Sequence, residues 1–173
     1  MLLVSGDERE RFFQTFQWEA IHLEMRDSYG TAVERPHLNR WEAGEPDDDL
    51  EWLQPWFSTV REGRQAGKVF RRARIISEPV TDYIRWEHMD THLFVEAGED
   101  IRWLPRRSVS GIALPGNDFC MFDSETVIFS VFAGGGLVVE RQLTTDPGIV
   151  ELCKAAFESV WVLAIPHSEY QLA

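Results

Sequence analysis

Several features that mark special classes of protein are scarce in this chain of 173 residues. It has two cysteines, Cys120 and Cys153, each inside an apolar run, which is too few for a disulfide framework or a zinc site. Its N-terminus turns polar after Val4, and no stretch approaches the roughly 18 apolar residues of a membrane span. We therefore expect two buried thiols in a reducing compartment, and a cytoplasmic protein with no membrane partner.

Basic residues are also scarce. The chain has 17 Lys and Arg against 29 Asp and Glu, which gives a formal net charge of −12 at pH 7. Because phosphate polymers and anionic membranes select for clustered cations, we expect no direct nucleic-acid binding. An acidic surface fits a basic protein or a cationic ligand, and it also serves solubility alone. The charge leaves both interpretations open.

Familiar catalytic motifs are missing too. The sequence has no G-x-S-x-G elbow, no G-x-G-x-x-G before a helix and no G-x-x-x-x-G-K-[ST] loop. The glycines 134–136 join two predicted strands, so they lack a helix N-terminus that would bind phosphate. His88 and His92 are four residues apart, but Met89 stands where a zinc protease needs Glu. We therefore predict no catalytic residue, no metal and no cofactor.

Hydrophobic residues make up 44% of the chain, with seven Trp and eleven Phe, which is enough for one sizeable core. Periodicity predicts helices over 7–17, 34–43, 50–60 (kinked at Pro55), 80–95 and 147–164, with strands over 21–25, 69–76, 100–104, 119–122, 126–132 and 137–143. The pattern predicts a single-domain α/β fold whose mixed sheet contains a βαβ unit and an antiparallel meander, flanked by helices. An N-terminal helix-strand segment, residues 1–49, is expected to pack on an α/β core of residues 50–173, after the acidic loop 45–49.

Charged side chains gather in and around the predicted βαβ unit. The candidate ligand-binding residues are Arg72, Arg74, Tyr83, Glu87, Glu99, Asp100, Arg102, Arg106 and Asp118. Ligands of α/β sheets collect at the carboxyl ends of parallel strands, and the planar fork of Arg suits carboxylates and phosphates. Arg72 and Arg74 share one predicted face. If a helix covers that face, Glu87, Glu99 or Asp100 must pair with them. The cluster is therefore either a structural ion-pair network or a site for a small anionic ligand.

Six stretches carry a family resemblance: AIHLE (20–24), DSY (27–29), RARIISEP (72–79), DY (82–83), AGEDIRWLPR (97–106) and LPGNDF (114–119). The chain resembles a family of small actinobacterial proteins of unknown function that are often encoded beside Xre-type helix-turn-helix regulators. The resemblance spans nearly the whole chain, and its most specific part is 98–106. It implies a helix-turn-helix regulator as partner and implies no particular reaction.

The C-terminal two thirds also resembles half of a phospholipase D-type domain, which implies a phospholipase D-like topology. The active half of that superfamily carries H-x-K, four further residues and an Asp; the His attacks phosphorus and the Lys binds phosphoryl oxygens. Placing that Asp at Asp123 puts Gly116 at the His position and Asp118 at the Lys position. Neither residue can perform these roles, so the resemblance implies a degenerate domain.

The sequence thus favours a non-enzymatic accessory regulatory protein that binds a helix-turn-helix regulator or a small anionic effector. One alternative is a metal-dependent hydrolase that uses the carboxylates of Glu87, Glu99, Asp118 and Asp123. A toxin–antitoxin component is a further alternative, suggested by the small size and by the kind of gene neighbour that the resemblance implies.

Overall fold

A computed structural model describes residues 1–46 and 49–172; residues 47 and 48, in the predicted acidic loop, lie outside the described part. The helices are α1 (Gly6–Thr15), α2 (Arg35–Glu42), α3 (Gln54–Gln65), α4 (Asp82–Ala97) and α5 (Pro147–Leu163), with 3₁₀ turns at Glu51–Leu53 and Arg106–Ser108. The strands are β1 (Leu2–Leu3), β2 (Glu19–Glu24), β3 (Val69–Ile76), β4 (Asp100–Pro105), β5 (Asp118–Phe122), β6 (Thr126–Phe132), β7 (Val138–Thr144) and β8 (Ile165–Pro166). No helix in the described ranges is long and apolar enough to cross a membrane.

The strands form one mixed sheet in the order β1-β7-β6-β5-β2-β3-β4-β8. Strands β2, β3 and β4 run parallel, and the crossovers between them contain α3 and α4. Strands β5, β6 and β7 form an antiparallel meander. The predicted single-domain α/β fold, with its βαβ unit and its meander, is confirmed.

The N-terminal segment 1–49 does more than pack on a core formed by 50–173. Its strand β2 lies in the middle of the sheet, where Ala20 is opposite Phe70 of β3 and Phe122 of β5. Four of the six residues of β2 are buried, as expected for a central strand that is covered on both faces. Residues 1–49 and 50–173 therefore share one sheet.

Local signals at helix ends fix where the helices begin. Ser5 and Glu8 form a capping box at the start of α1, and Asp146 accepts hydrogen bonds from two backbone N–H groups at the start of α5. The predicted kink at Pro55 is wrong. A 3₁₀ turn precedes α3, so Pro55 lies in the first turn of that helix, where a missing N–H costs no hydrogen bond.

The two faces of the sheet differ in chemistry. The face that packs on α5 carries one apolar cluster, in which Ile21, Ala73 and Phe119 lie with Phe157. The opposite face, which we call the cleft face, is covered by α1 to α4 and carries two separate apolar clusters. Between those clusters lies a polar band, which consists of His22, Glu24, Arg72, Arg74 and Asp118. The strand alternation of β2, β3 and β5 places all five on the cleft face.

The apolar face sets the first prediction. Phe157 has no exposed surface, so Phe157→Ala should lower the free energy of unfolding by about 3–5 kcal/mol through lost burial and the cavity left behind. Val162, on the same helix, is 79% exposed, and Val162→Ala should change the free energy of unfolding by no more than about 0.5 kcal/mol. Urea denaturation measures both. Equal effects of the two substitutions would contradict this assignment of the core.

Candidate functional site

Arg74 lies at the centre of the polar band and is almost fully buried. Its Nε donates to Glu24 Oε2 at 2.6 Å, and its Nη2 lies 2.7 Å from Glu87 Oε1. Its Nη1 donates to the Thr91 hydroxyl at 2.9 Å. All three nitrogens of this guanidinium therefore have partners, from β2 and from α4.

Arg72, two residues earlier on β3, is engaged in the same way. Its Nη1 donates to Glu24 Oε1 at 3.0 Å, while Nε and Nη2 donate to the two oxygens of Glu99 at 3.0 and 3.1 Å. The indole N–H of Trp56 donates to Glu99 as well. The guanidinium also lies 5.6 Å from the centre of the Trp56 ring, within cation–π range. Glu24 thus joins the two arginines into one network.

Strand register explains why the network forms. Strands β2 and β3 pair in parallel with Glu24 opposite Arg74 and His22 opposite Arg72. Neighbouring side chains on one face of a sheet lie within interaction range, so the acid of β2 meets the bases of β3. Helix α4 adds Glu87, and the turn that follows α4 adds Glu99.

The network has three carboxylates for two guanidiniums, and the pKa values of Glu24 and Glu87 shift in opposite directions. Burial raises the pKa of Glu24, but Arg74 and Arg72 outweigh it and hold that pKa well below its usual range. Burial raises the pKa of Glu87 to about 8; Arg74 opposes this shift, and the charges of Glu24 and Glu34 reinforce it. Burial lowers the pKa of His22 to about 3. Glu87 is therefore the carboxyl of this network that holds a proton near neutral pH.

A cavity of about 600 Å³ opens above this network, within the range typical of small-molecule sites. Arg72, Arg74, Glu34 and Glu87 contribute polar groups to its wall, and Trp52, Trp56, Trp86 and Phe94 contribute aromatic rings. The indoles of Trp52 and Trp86 are nearly parallel, with ring centres 6.4 Å apart. An apolar wall with a few convergent polar groups is the usual composition of a ligand pocket.

Two other predicted residues lie beside the arginine network: Tyr83 borders the polar band, and Asp118 belongs to it. The Tyr83 hydroxyl donates to Glu34 Oε2 at 3.1 Å. Asp118 accepts hydrogen bonds from the Tyr29 hydroxyl at 2.5 Å and from the Met25 N–H at 3.0 Å. Burial raises the pKa of Asp118 to about 6.

Three predicted residues lie away from the band. Asp100 and Arg102 pair with each other at 3.3 Å, and Arg102 stacks on Trp161 of α5 on the opposite face of the sheet. Arg106 donates to the carbonyls of Met25 and Ile75, where β2 and β3 end. Of the three acids suggested as partners of Arg72 and Arg74, Glu87 and Glu99 pair with them and Asp100 does not. Strand parity places Asp100 opposite Arg71, on the α5 face.

His22, Glu24 and Glu34 belong to the site and were missed by sequence reasoning. The alternation of β2 carried a signal, since His22 and Glu24 fall on the face opposite Ile21 and Leu23. The missing step was the pairing of β2 with β3, which no local pattern specifies.

The carboxylates suggested for a metal-dependent hydrolase do not converge. Asp123 follows β5 at the end opposite Asp118, and its carboxylate accepts the backbone N–H groups of Gln17, Trp18 and Glu19. Glu99 is occupied by Arg72 and Trp56. Within residues 1–46 and 49–172, no group of three or more His, Cys, Asp or Glu is arranged to hold a metal ion.

The sequence matches the family described as Domain of unknown function (DUF6879) over residues 7–172. The chain belongs to this family. The family match spans nearly the whole chain, as the resemblance implied. No curated protein matches the sequence.

Solved structures show the same fold at low sequence identity. Nuc from Salmonella typhimurium, a phospholipase D family member, is 9% identical with a TM-score of 0.52, and the match covers 95% of each chain. TrmBL2, an archaeal chromatin protein, is 14% identical with a TM-score of 0.51; the match covers 94% of this DUF6879 chain and 52% of TrmBL2. The present chain thus spans about half the length of TrmBL2. At these identities the likeness establishes a phospholipase D-like fold and nothing about activity.

The second prediction tests the network. Arg74→Met leaves Glu87 buried without a guanidinium and leaves Glu24 with Arg72 alone, so the free energy of unfolding should fall by about 3–5 kcal/mol. Arg85, on α4, forms a solvent-exposed ion pair with Asp82, and Arg85→Met should change the free energy of unfolding by less than about 1 kcal/mol. Both variants are measured by urea denaturation. A loss below 1 kcal/mol for Arg74→Met would show that the network is dispensable for stability.

The third prediction concerns pH. Glu87 has a raised pKa in the folded chain, so the folded state holds one more proton than the unfolded state between its ordinary pKa of about 4.3 and about 8. Its contribution to stability is complete below pH 4.3 and is lost as the pH rises through 8. The free energy of unfolding should therefore fall by up to about 1.4 kcal/mol per pH unit between pH 6.5 and 8.

Glu87→Gln is the matched control because glutamine is neutral at every pH. In this variant the decline between pH 6.5 and 8 should disappear, as followed by urea denaturation at each pH. His22 does not contribute in this window, because its lowered pKa makes stability rise with pH only below about 6.5. An unchanged decline in Glu87→Gln would assign the titration to another group.

Proposed function

We propose that this DUF6879 protein is a non-enzymatic accessory regulatory protein. It binds a small molecule in the 600 Å³ cavity above the arginine network, which we call the cleft, and it docks on a helix-turn-helix transcription regulator. The observation that carries the proposal is the 600 Å³ cavity, in which tryptophans face a network of fully engaged arginines. Such a cavity combines apolar area for affinity with a few polar groups for specificity.

Binding is better supported than catalysis. Phosphoryl transfer in the phospholipase D superfamily needs a nucleophile and a cation, and Gly116 and Asp118 stand at those positions. Asp118 instead holds Tyr29 and the backbone of Met25. The two buried arginines of the cleft are equally committed, because carboxylates and Thr91 occupy their nitrogens.

Docking on a regulator is supported by charge. The net charge of −12 complements the basic surface with which a helix-turn-helix protein contacts DNA, and such complementarity favours association. TrmBL2, in which a domain of similar fold accounts for about half of the chain, is described as a protein with a novel mode of DNA binding. This fold therefore occurs in at least one DNA-associated setting.

The fourth prediction tests ligand binding with a variant that fills the cavity. Thr59 on α3 lines the cleft, so Thr59→Trp should place an indole in it. Ser58, the preceding residue on α3, lies outside this cavity, so Ser58→Trp introduces the same side chain without filling the cavity. Tagged chains are purified from the native host and analysed by native mass spectrometry. The wild type and Ser58→Trp should retain a small molecule that is at least tenfold depleted in Thr59→Trp.

The same purification tests the other two parts of the proposal. A helix-turn-helix protein should co-purify at near-stoichiometric level with the wild type, and its absence would reject the docking partner. A small molecule held equally by all three chains, or by none, would reject the cleft as the binding site. Hydrolysis of bis(p-nitrophenyl) phosphate that is lost in Thr59→Trp would reject the non-enzymatic assignment.

A further inference from the structure

A second, smaller cavity of about 260 Å³ adjoins the tryptophan-lined one. Five side chains, among them Arg9, Glu34 and Glu87, line both cavities. The smaller cavity extends along the polar band to Arg141 of β7. The two spaces together can therefore hold one ligand, with its polar part in the smaller cavity and its apolar part among the indoles.

The smaller cavity has a cationic end. Arg141 on β7 is in register with Ser130 on β6, which is in register with Asp118 on β5, so Arg141 lies two strands away from Asp118 on the cleft face. Its buried Nε has no hydrogen-bond partner in the part of the chain that the structure describes. Arg9 of α1 lines the same cavity, and its Nη2 donates to the Cys120 thiol, a weak acceptor, at 3.3 Å.

The electrostatics of this end favour an incoming anion. Burial lowers the pKa of Arg141, and the positive charge of Arg9 lowers it further. Glu10 pairs with Arg9 at 2.8 Å and offsets part of the repulsion between the two guanidiniums. A ligand carboxylate between them would relieve the remaining repulsion and supply the acceptor that Arg141 Nε lacks.

The other end of the cavity is acidic. Glu87, Glu34 and Asp118 line it, and the buried Oε2 of Glu87 has no partner among the described residues. Its other oxygen, Oε1, is held by Arg74. A buried oxygen without a partner costs free energy until a polar group reaches it. An ammonium beside Glu87 would lower the raised pKa of its carboxyl group and stabilise the carboxylate, so this end favours a ligand that carries an ammonium.

One cavity thus contains two buried polar atoms without partners among the described residues, a cationic donor on Arg141 and an oxygen of the Glu87 carboxyl group. From this geometry we infer that the ligand of the cleft is a small zwitterion of the amino-acid class, with its carboxylate at Arg141 and Arg9, its ammonium at Glu87, and an apolar side chain among the tryptophans. This inference rests on the proposed ligand-binding function and specifies the chemistry of the ligand.

The fifth prediction uses three probes that share one phenyl group. Phenylalanine carries both charges, 3-phenylpropionate lacks the ammonium, and phenethylamine lacks the carboxylate. Isothermal titration calorimetry with the wild-type chain should show phenylalanine binding at least tenfold more tightly than either analogue, because only the zwitterion satisfies both unpartnered groups. A preference for one of the analogues, or equal binding of all three, would overturn the zwitterion assignment.

Two variants test where the charged groups of the ligand bind, one for the carboxylate and one for the ammonium. Arg141→Met should bring the affinity for phenylalanine down to that for phenethylamine, and Glu87→Gln should bring it down to that for 3-phenylpropionate. Arg85→Met, on the exposed pair of α4, should leave all three affinities within twofold. If either cleft variant binds phenylalanine as the wild type does, the charge placement is wrong.

Failure of this inference is separable from failure of the proposed function. The calorimetry on the wild type needs no variant to fold, and lack of binding by all three probes overturns the amino-acid class. The comparison of Thr59→Trp with Ser58→Trp then decides independently whether the cleft holds a small molecule.

Discussion

The buried network of Arg72 and Arg74 with Glu24, Glu87 and Glu99 is the constraint on which the rest of the structure depends. Two guanidiniums in the middle of a helix-covered sheet face are tolerated only if carboxylates reach them from every side. Glu24 of β2 binds both arginines of β3 and so holds these two strands together. Glu87 of α4 and Glu99 of the turn after it bind the same arginines, which determines where α4 packs on the sheet. The same charges separate the two apolar clusters of the cleft face, so the helices cannot close over the sheet with a continuous apolar contact.

The sequence predicted the parts of this arrangement that follow from local periodicity. Alternation along β3 placed Arg72 and Arg74 on one face, and the requirement that buried charges be paired gave Glu87, Glu99 or Asp100 as partners, of which the first two pair with the arginines. Glu24 was missed because its proximity to the arginines arises from pairing between strands far apart in sequence, which periodicity within one segment does not specify. The two-residue strands β1 and β8 were missed for a related reason: such short strands carry too little pattern to be recognised.

The comparison with the phospholipase D fold separates architecture from chemistry. Asp123, which the sequence resemblance places at the Asp of that superfamily's motif, adopts a positive φ of 56° and accepts the backbone N–H groups of Gln17, Trp18 and Glu19, where the chain enters β2. The carboxylate therefore secures the connection into the central strand. Two of the buried polar atoms that have no partner among the described residues, on Glu87 and Arg141, line the cavity beside the polar band, and there we look for function.

The central position of β2 also has a consequence for how the chain acquires its structure during synthesis. Strand β2 pairs with β3 on one side and with β5 on the other, and β3 is synthesised first. Trp18 and Asp123, which are hydrogen-bonded where β2 begins, are 105 positions apart. A nascent chain can pair β2 on one side long before β5 leaves the ribosome. During that interval β2 is an open edge that exposes the apolar side chains of Ala20, Ile21 and Leu23, and unpaired edges can associate with other chains. Productive folding of this topology therefore depends on the interval between synthesis of β3 and synthesis of β5, and on whatever protects that edge in the meantime.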